Sequence, residues 1–221
     1  MTPGPDVVLR CPHCAALARA PTIASGTTLG GEAWTDGRTR LPMMPAAVSA
    51  TRCRGCSRVF FVADAEVVGE LDAVDAVFER ASPEVPAEWW AASRLDSLAG
   101  AEWSAAISAG AGRTREQQLE LRLQAWWAGN DAFRDGAGWL AFAGRGPDER
   151  ENAAMLLELL DPEVGDEGLL RAELLRELGR FGEALTQLAA LRAEEAWQQV
   201  AWRIELLARE EVAAVRRIPL R

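Results

Sequence analysis

The chain has 221 residues, 49% of them hydrophobic, which is enough for one large or two modest domains with a buried core. It carries a net charge of −9, has no lysine, and contains no apolar run long enough to cross a bilayer, so we expect no membrane partner. The sequence opens without a basic segment followed by an apolar stretch, and we therefore expect no export signal and a cytoplasmic location.

The four cysteines of the chain form two pairs with the same spacing, Cys11/Cys14 and Cys53/Cys56. A pair separated by two residues can place both thiolates on one face of a tight turn, and four thiolates complete the tetrahedral shell that zinc prefers. The sequence therefore predicts a closed structural Zn(Cys)4 site with Zn²⁺ as its cofactor. The predicted ligands are Cys11, Cys14, Cys53 and Cys56.

Paired cysteines also serve as redox dithiols, as structural disulfides and as ligands of iron. A redox dithiol needs only one pair, whereas here a second pair runs into the β-branched and aromatic residues 59–62, as in the second half of a zinc ribbon. Disulfides need an oxidising compartment, which the expected location does not provide. Zinc is the first choice, and rubredoxin-like iron is the main alternative.

His13, the only histidine, lies inside the first pair. If both flanking cysteines bind the metal, the turn points the imidazole away from it, so we expect a solvent-facing residue. Four thiolates leave no open position for water, which argues against Lewis-acid hydrolysis. The chain also lacks a glycine-rich phosphate loop and a nucleophile–base set with free members, and its acids recur at spacings typical of solvated helix faces. We therefore expect no enzyme activity.

The 38 residues between the pairs exceed the roughly 15 to 20 of a compact two-knuckle site. Within them, Asp36-Gly37 favours a tight hairpin turn between two short strands. The sequence predicts an elaborated ribbon of three to five short strands. Three large side chains are expected to cover its thin core, with a ligand groove as the alternative: Trp34, Met43 and Met44.

Charge is distributed unevenly along the chain. Residues 1–64 carry seven arginines and four acids, whereas the remainder carries 17 arginines and 29 acids. We expect the arginines next to the cysteines to offset the double negative charge of a Zn(Cys)4 centre: Arg10, Arg52, Arg54 and Arg58. A nucleic-acid or transcription-associated ribbon is the alternative function, because arginines near Trp34, Phe60 and Phe61 could stack on bases. The acidic remainder would repel phosphates, so nucleic acid is not the favoured partner.

The pattern changes at residue 65, where acids begin to alternate with apolar residues as in a linking helix. Helices are predicted for residues 86–99, 101–109, 114–129, 148–160, 167–179, 182–193 and 194–214. The sequence thus predicts an α+β fold. A small N-terminal β zinc ribbon (1–64) is followed by a linking helix (65–85) and an all-α bundle (86–221).

Residues 169–188 resemble a tetratricopeptide repeat. In this resemblance Gly179 begins the turn between two helices, Phe181 plugs the helices together, and Ala172 and Ala184 allow their close approach. The match covers residues 165–196, lacks the closing proline and has no second clear copy. We expect a compact bundle with one tetratricopeptide-like hairpin, whose faces neighbouring helices must cover.

Eight of the nine tryptophans lie in the helical half, and core packing is expected for most of them. An exposed tryptophan beside Arg122 or Arg203 would instead anchor a peptide. Asn130 and Asp131 are predicted to cap a helix end, with a polar role in a peptide groove as the alternative. The last helix has an apolar stripe that is expected to cover the hairpin, with a concave face left open for a partner peptide or helix as the alternative. The stripe consists of Trp197, Val200, Ala201, Ile204, Leu207 and Ala208.

The whole arrangement resembles bacterial proteins of unknown function that join an N-terminal zinc ribbon to a tetratricopeptide-like helical region. The resemblance rests on both cysteine pairs and on residues 25–28, 34–37, 42–45 and 179–188. It implies an architecture and no activity. The favoured function is a non-enzymatic adaptor in which the helical surface binds an unidentified protein partner. The sequence leaves the oligomeric state open.

Overall fold

A computed structural model describes residues 1–134, 139–191 and 198–218. The fold is α+β, with most strands in the N-terminal region and most helices in the C-terminal region, as the sequence predicts. The chain divides into two compact units, residues 1–31 with 41–99 and residues 32–40 with 100–221. Among the described residues, no helix is both long and apolar enough to span a membrane.

The strands and helices are numbered in chain order. The strands are β1 (Thr2–Arg10), β2 (Leu17–Ser25), β3 (Glu32–Trp34), β4 (Thr39–Arg40), β5 (Ala50–Arg52), β6 (Val59–Phe61), β7 (Glu66–Leu71), β8 (Ser93–Arg94) and β9 (Arg217–Ile218). The α-helices are α1 (Ala73–Phe78), α2 (Ala87–Ala91), α3 (Glu102–Ser108), α4 (Arg115–Arg134), α5 (Pro147–Leu159), α6 (Gly165–Glu177), α7 (Phe181–Ala190) and α8 (Gln198–Arg209).

The first unit is built on a four-stranded sheet with the order β7-β1-β2-β8. Strand β1 pairs antiparallel with both β2 and β7, so it is the central strand of these three. Successive side chains of a strand point to opposite faces, so Val8 and Leu9 lie on opposite faces of β1. Both are buried, which means that both faces of the strand are covered. Val8 packs with Leu71 and Ala76 in one cluster, whereas Leu9 packs in a second cluster that includes two of the cysteines.

The predicted linking helix over residues 65–85 is wrong in its first half, because residues 66–71 form strand β7. The acid and apolar spacing there also fits a helix, but β1 offers a free edge and β7 pairs with it from Asp6↔Leu71 to Arg10↔Glu66. Gly69 lies against the ring of Trp89, and a Cβ on this glycine would lie 1.9 Å from the indole. Only the short helix α1 follows, capped by the Asp72 carboxylate.

The second unit contains the predicted Asp36-Gly37 hairpin, formed by β3 and β4, which a third strand, β9, extends. Gly37 has φ +79, the left-handed conformation that the turn requires. This hairpin was predicted to be part of the ribbon. The structure places it in the helical unit because its other strand partner, β9, comes from the end of the chain. The prediction that three large side chains cover the core of the ribbon is also wrong, because Met43 and Met44 are exposed and Trp34 lies in the helical unit.

Six of the predicted helices are found close to their expected bounds, as α3 to α8. The helix predicted for residues 86–99 ends at Ala91, and Ser93–Arg94 pairs with β2 instead. Residues 135–138 and 192–197 lie outside the described residues, and the second of these ranges includes Trp197. Most described tryptophans are buried or half-buried, as expected, and the exposed one is Trp202 on α8.

Helices α6 and α7 form the predicted helical hairpin. Gly179 has φ +76, and the amides of Gly179 and Arg180 donate to the carbonyls of Arg176 and Leu175, which closes the end of α6. Ala172 and Ala184 are fully buried. Helix α8 packs on both helices, so the final helix covers the hairpin as the sequence predicts.

Candidate metal centre

Each cysteine pair lies in the turn of an antiparallel hairpin in the first unit. The first turn joins β1 to β2, where Arg10 pairs with Leu17, and the second joins β5 to β6, where Arg52 pairs with Val59. Both turns therefore start and end on paired strands. The sheet pairing fixes the two ends of each turn and thereby positions its cysteines.

The two turns have the same hydrogen bonds. In the first, the Cys11 amide donates to the Ala16 carbonyl (2.9 Å) and the Ala15 amide donates to the Cys11 carbonyl (3.0 Å). In the second, the Cys53 amide donates to the Arg58 carbonyl (2.9 Å) and the Ser57 amide donates to the Cys53 carbonyl (2.8 Å). One further amide in each turn donates to the first sulfur: His13 to Cys11 Sγ (3.4 Å) and Gly55 to Cys53 Sγ (3.3 Å). Such N–H···S bonds stabilise thiolates.

Each turn also contains one residue in the left-handed conformation directly after its second cysteine. Ala15 has φ 62 and Ser57 has φ 60, and a side chain in this region costs roughly 1 to 2 kcal/mol. The turn shape is thus imposed by its surroundings. Gly55 is required for its lack of a side chain, since a Cβ there would lie 3.0 Å from Ala16 Cβ and 3.4 Å from Cys14 Sγ. It allows the two turns to approach each other.

The four predicted ligands come together. The sulfur atoms of Cys11, Cys14, Cys53 and Cys56 all lie within 4.8 Å of one another. Cys14 Sγ and Cys53 Sγ are 3.6 Å apart, far beyond a disulfide bond, and all four cysteines are free. Metal–sulfur bonds of about 2.3 Å in a tetrahedron give sulfur–sulfur distances near 3.8 Å. The cluster therefore suits a tetrahedral metal ion.

The four thiols are too close together for all of them to be deprotonated easily without a compensating positive charge. Burial acts to raise the pKa of Cys53, but hydrogen bonds from Cys56, Gly55 and the neighbouring thiols outweigh it and lower the pKa to about 7. At Cys14 a hydrogen bond from the Ala16 amide acts to lower the pKa, yet Cys53 and burial raise it to about 12. A bound dication would supply the missing positive charge, so metal binding releases protons.

His13 is not solvent-facing, contrary to the sequence-based prediction. Its side chain is half-buried, and Nε2 lies 3.1 Å from the carbonyl oxygen of Val59, which follows the second cysteine turn. The prediction that it is no ligand agrees with this position, since His13 is not part of the sulfur cluster. The imidazole instead connects the first turn to the strand after the second.

Three of the four arginines near the cysteines have other partners. Arg10 pairs with Glu66 (3.0 Å), Arg54 pairs with Asp96 (2.8 Å), and Arg52 donates to the Ser57 carbonyl (3.0 Å). Asp96 and Glu66 were not part of the sequence-based site. These two carboxylates pair with Arg10 and Arg54, whose positive charge was expected to offset the negative charge of the metal centre.

Sequence reasoning missed a buried ionic cluster in the second unit, which we call the ionic core: Asp36, Asn130, Arg134, Arg145, Glu173, Arg176 and Glu177. The Asn130 amide donates to Asp36 Oδ2 (2.9 Å) and to Glu177 Oε1 (3.1 Å), and its oxygen accepts from Arg145 (3.0 Å). Asn130 lies inside α4, so its predicted role as a cap is wrong. The expectation of solvated acids is also wrong for Glu173 and Glu177.

The ionic core contains three carboxylates and three arginines, but these groups do not form three one-to-one ion pairs. Arg134 pairs with Asp36, and Arg176 pairs with Glu173 through Nε and Oε2 at 2.7 Å. Glu177 accepts from Trp126 Nε1 (2.9 Å) and Asn130. Burial, followed by the charges of Glu173 and Asp36, raises the pKa of Glu177 to about 8. Burial also raises the pKa of Asp36 against the opposing charge of Arg134.

Comparisons of this chain with protein-family models, with curated proteins and with solved structures give no match. The sulfur cluster and the surfaces of the two units are therefore the basis for a functional assignment.

Proposed function

We propose that the chain is a non-enzymatic protein-interaction adaptor whose first unit is a zinc ribbon held by a structural Zn(Cys)4 centre. The observation that carries this proposal is the pair of matching cysteine turns, which bring four sulfur atoms within 4.8 Å of one another. Four thiolates would hold Zn²⁺ and leave no position for water or substrate. The ion would stabilise the unit and take no part in a reaction.

The helical unit supports the binding role. Its α6–α7 hairpin has a left-handed turn residue, Gly179, and two buried small residues, Ala172 and Ala184, and these features support the proposed tetratricopeptide-like pair. The surfaces of such helix pairs commonly bind proteins. The acids of the ionic core are buried and bonded to protein groups, which is the basis for giving them a structural role in this proposal. The proposed location is the cytoplasm, where zinc-bound thiolates stay reduced.

Nucleic-acid binding is the weaker alternative. Three of the arginines next to the cysteines already pair with acids or a carbonyl, so they are not free to neutralise phosphates. Arg38 and Arg40 of the hairpin likewise contact Gln124 and Asp131.

Metal content and partner capture test the proposal together. The purified full chain and its Cys53→Ser variant are measured by elemental analysis, and both are used as immobilised bait. We expect one zinc per chain, loss of most zinc in Cys53→Ser, and retained zinc in the matched variant His13→Ala, which alters the turn without removing a ligand. A chain that binds iron would contradict the zinc assignment. A chain that retains no protein specifically would contradict the adaptor role.

A further inference from the structure

One stretch of the first unit combines exposed apolar side chains with excess negative charge. Val74, Val77 and Phe78 of α1 are 56%, 49% and 64% exposed. These positions are three and four residues apart, so they lie on one face of the helix. Ala76, on the opposite side, is buried in the cluster with Val8 and Leu71. Helix α1 thus buries one face in the unit and presents an apolar face outward.

The loop after α1 continues this surface. Residues 81–87 and Trp90 line an open depression directly after the helix. Val85 and Trp90 also pack on the cluster that anchors α1, so helix and loop surround the same part of the core. We call the α1 face and this depression the α1 surface. Large apolar side chains that cluster in this way on a protein surface commonly mark a binding site.

Charge around the α1 surface identifies the partner's chemistry. Residues 66–88 contain seven acids and a single arginine, Arg80. Glu66 pairs with Arg10 and Asp72 caps α1, but no ion pair joins the other five to any described residue: Glu70, Asp75, Glu79, Glu84 and Glu88. A second copy of this chain would bring acids against acids, which disfavours self-association through this surface.

The ring of Phe78 already contacts a cationic side chain of the same chain. The Arg80 guanidinium lies 5.1 Å from the centroid of its ring, within cation–π range. An arginine or lysine from a partner could bind the same ring and pair with the surrounding carboxylates.

We propose that the α1 surface binds a partner protein through a segment in which arginine or lysine alternates with apolar residues. This inference rests on the proposed adaptor function and specifies the surface and the partner segment. The apolar side chains of the segment pack on Val74, Val77 and Phe78, while its basic groups pair with the free acids. Burial of the apolar groups supplies most of the affinity, and the acids supply selectivity and fast association.

Three labelled peptides of equal length serve as probes, measured by fluorescence anisotropy with the zinc-loaded full chain. One alternates arginine with valine, one alternates arginine with glycine, and one alternates aspartate with valine. We expect binding of the arginine–valine peptide alone, weakened at high salt because the charge pairs are exposed. Equal binding of the arginine–glycine peptide would show that charge alone is recognised and would overturn the proposal.

Surface variants locate the site. Val77→Ser with Phe78→Ser should weaken binding of the arginine–valine peptide about 10-fold, since each side chain loses its buried contact. Trp202→Ser is the matched control, because Trp202 is 62% exposed and lies in the other unit. Unchanged binding in the α1 variant, or an equal loss in the control, would overturn the proposal. If the immobilised chain still captures a partner in that case, the adaptor function stands and only its surface has been misassigned.

Discussion

At the residue scale, Glu177 couples the stability of the second unit to pH. Its pKa is raised from 4.5 to about 8 by burial and by the charges of Glu173 and Asp36. Between these two values the folded chain holds a proton that the unfolded chain has lost. Stability therefore falls as pH rises through this window.

Glu177→Gln should remove this pH dependence, because glutamine stays neutral and can still accept from Trp126 and Asn130. We expect the variant to gain stability over the parent chain at about pH 8 and to gain little at about pH 5. Urea unfolding at the two pH values measures the difference. Glu158→Gln, at an exposed position on α5, should change neither value. A gain that is equal at both pH values would contradict the buried-proton explanation.

Arg176 is fully buried and makes more contacts than a simple ion pair. It pairs with Glu173 and also donates to the carbonyls of Val212 and Ala214. Arg176→Met leaves a buried carboxylate and two carbonyls without their donor, and the expected loss is about 3 to 5 kcal/mol of unfolding free energy. The matched variant Arg209→Met removes an exposed pair with Glu205 and should cost under about 1 kcal/mol. Similar losses in the two variants would show that burial does not matter here.

The sequence alone was sufficient to predict some of the site residues but not others. The cysteine cluster was predictable because two residues between cysteines place both sulfurs in one turn, a local constraint. The ionic core was not, because Asp36 and Asn130 meet across 94 sequence positions and each has an ordinary local role, as a turn residue and a helix residue. His13 was misjudged for the same reason, since its partner Val59 is 46 positions away.

At the element scale, the α6–α7 hairpin depends on the left-handed backbone at Gly179. Nothing lies within 4 Å of a Cβ placed there, so Gly179→Ala tests the backbone alone. We expect a loss of about 1 kcal/mol. Gly182, three positions later in α7, also has open space but no positive φ. Gly182→Ala should instead stabilise the helix, by up to about 1 kcal/mol. Thermal unfolding measures both, and a loss of equal size in the two variants would contradict this explanation.

Helices were predicted better than strands. Helices α3 to α8 carry their periodicity over seven or more residues, and turns or glycines separate them, so local pattern suffices. Strands β7, β8 and β9 have six residues or fewer and form only because a distant edge is available for pairing. The assignment of the β3–β4 hairpin to the helical unit depends on such a distant partner and was not visible in the sequence.

At the scale of the whole molecule, the proposed zinc centre should stabilise one unit selectively. All four cysteines lie in the unit of residues 1–31 and 41–99, whereas the long helices α4 to α8 lie in the other. Removal of zinc with a chelator should therefore expose the first unit to proteolysis and leave most of the helical circular dichroism intact. Loss of both signals together at low chelator concentration would show that the metal stabilises more than its own unit.

The coordination shell of the bound metal tests the central claim most directly. X-ray absorption at the zinc edge, recorded on the purified full chain with its metal content determined, reports the number and type of ligands. We predict one zinc per chain with four sulfur neighbours at about 2.3 Å and no oxygen or nitrogen neighbour. A folded chain without metal, or a shell with fewer than four sulfurs and a bound water, would contradict a closed structural site.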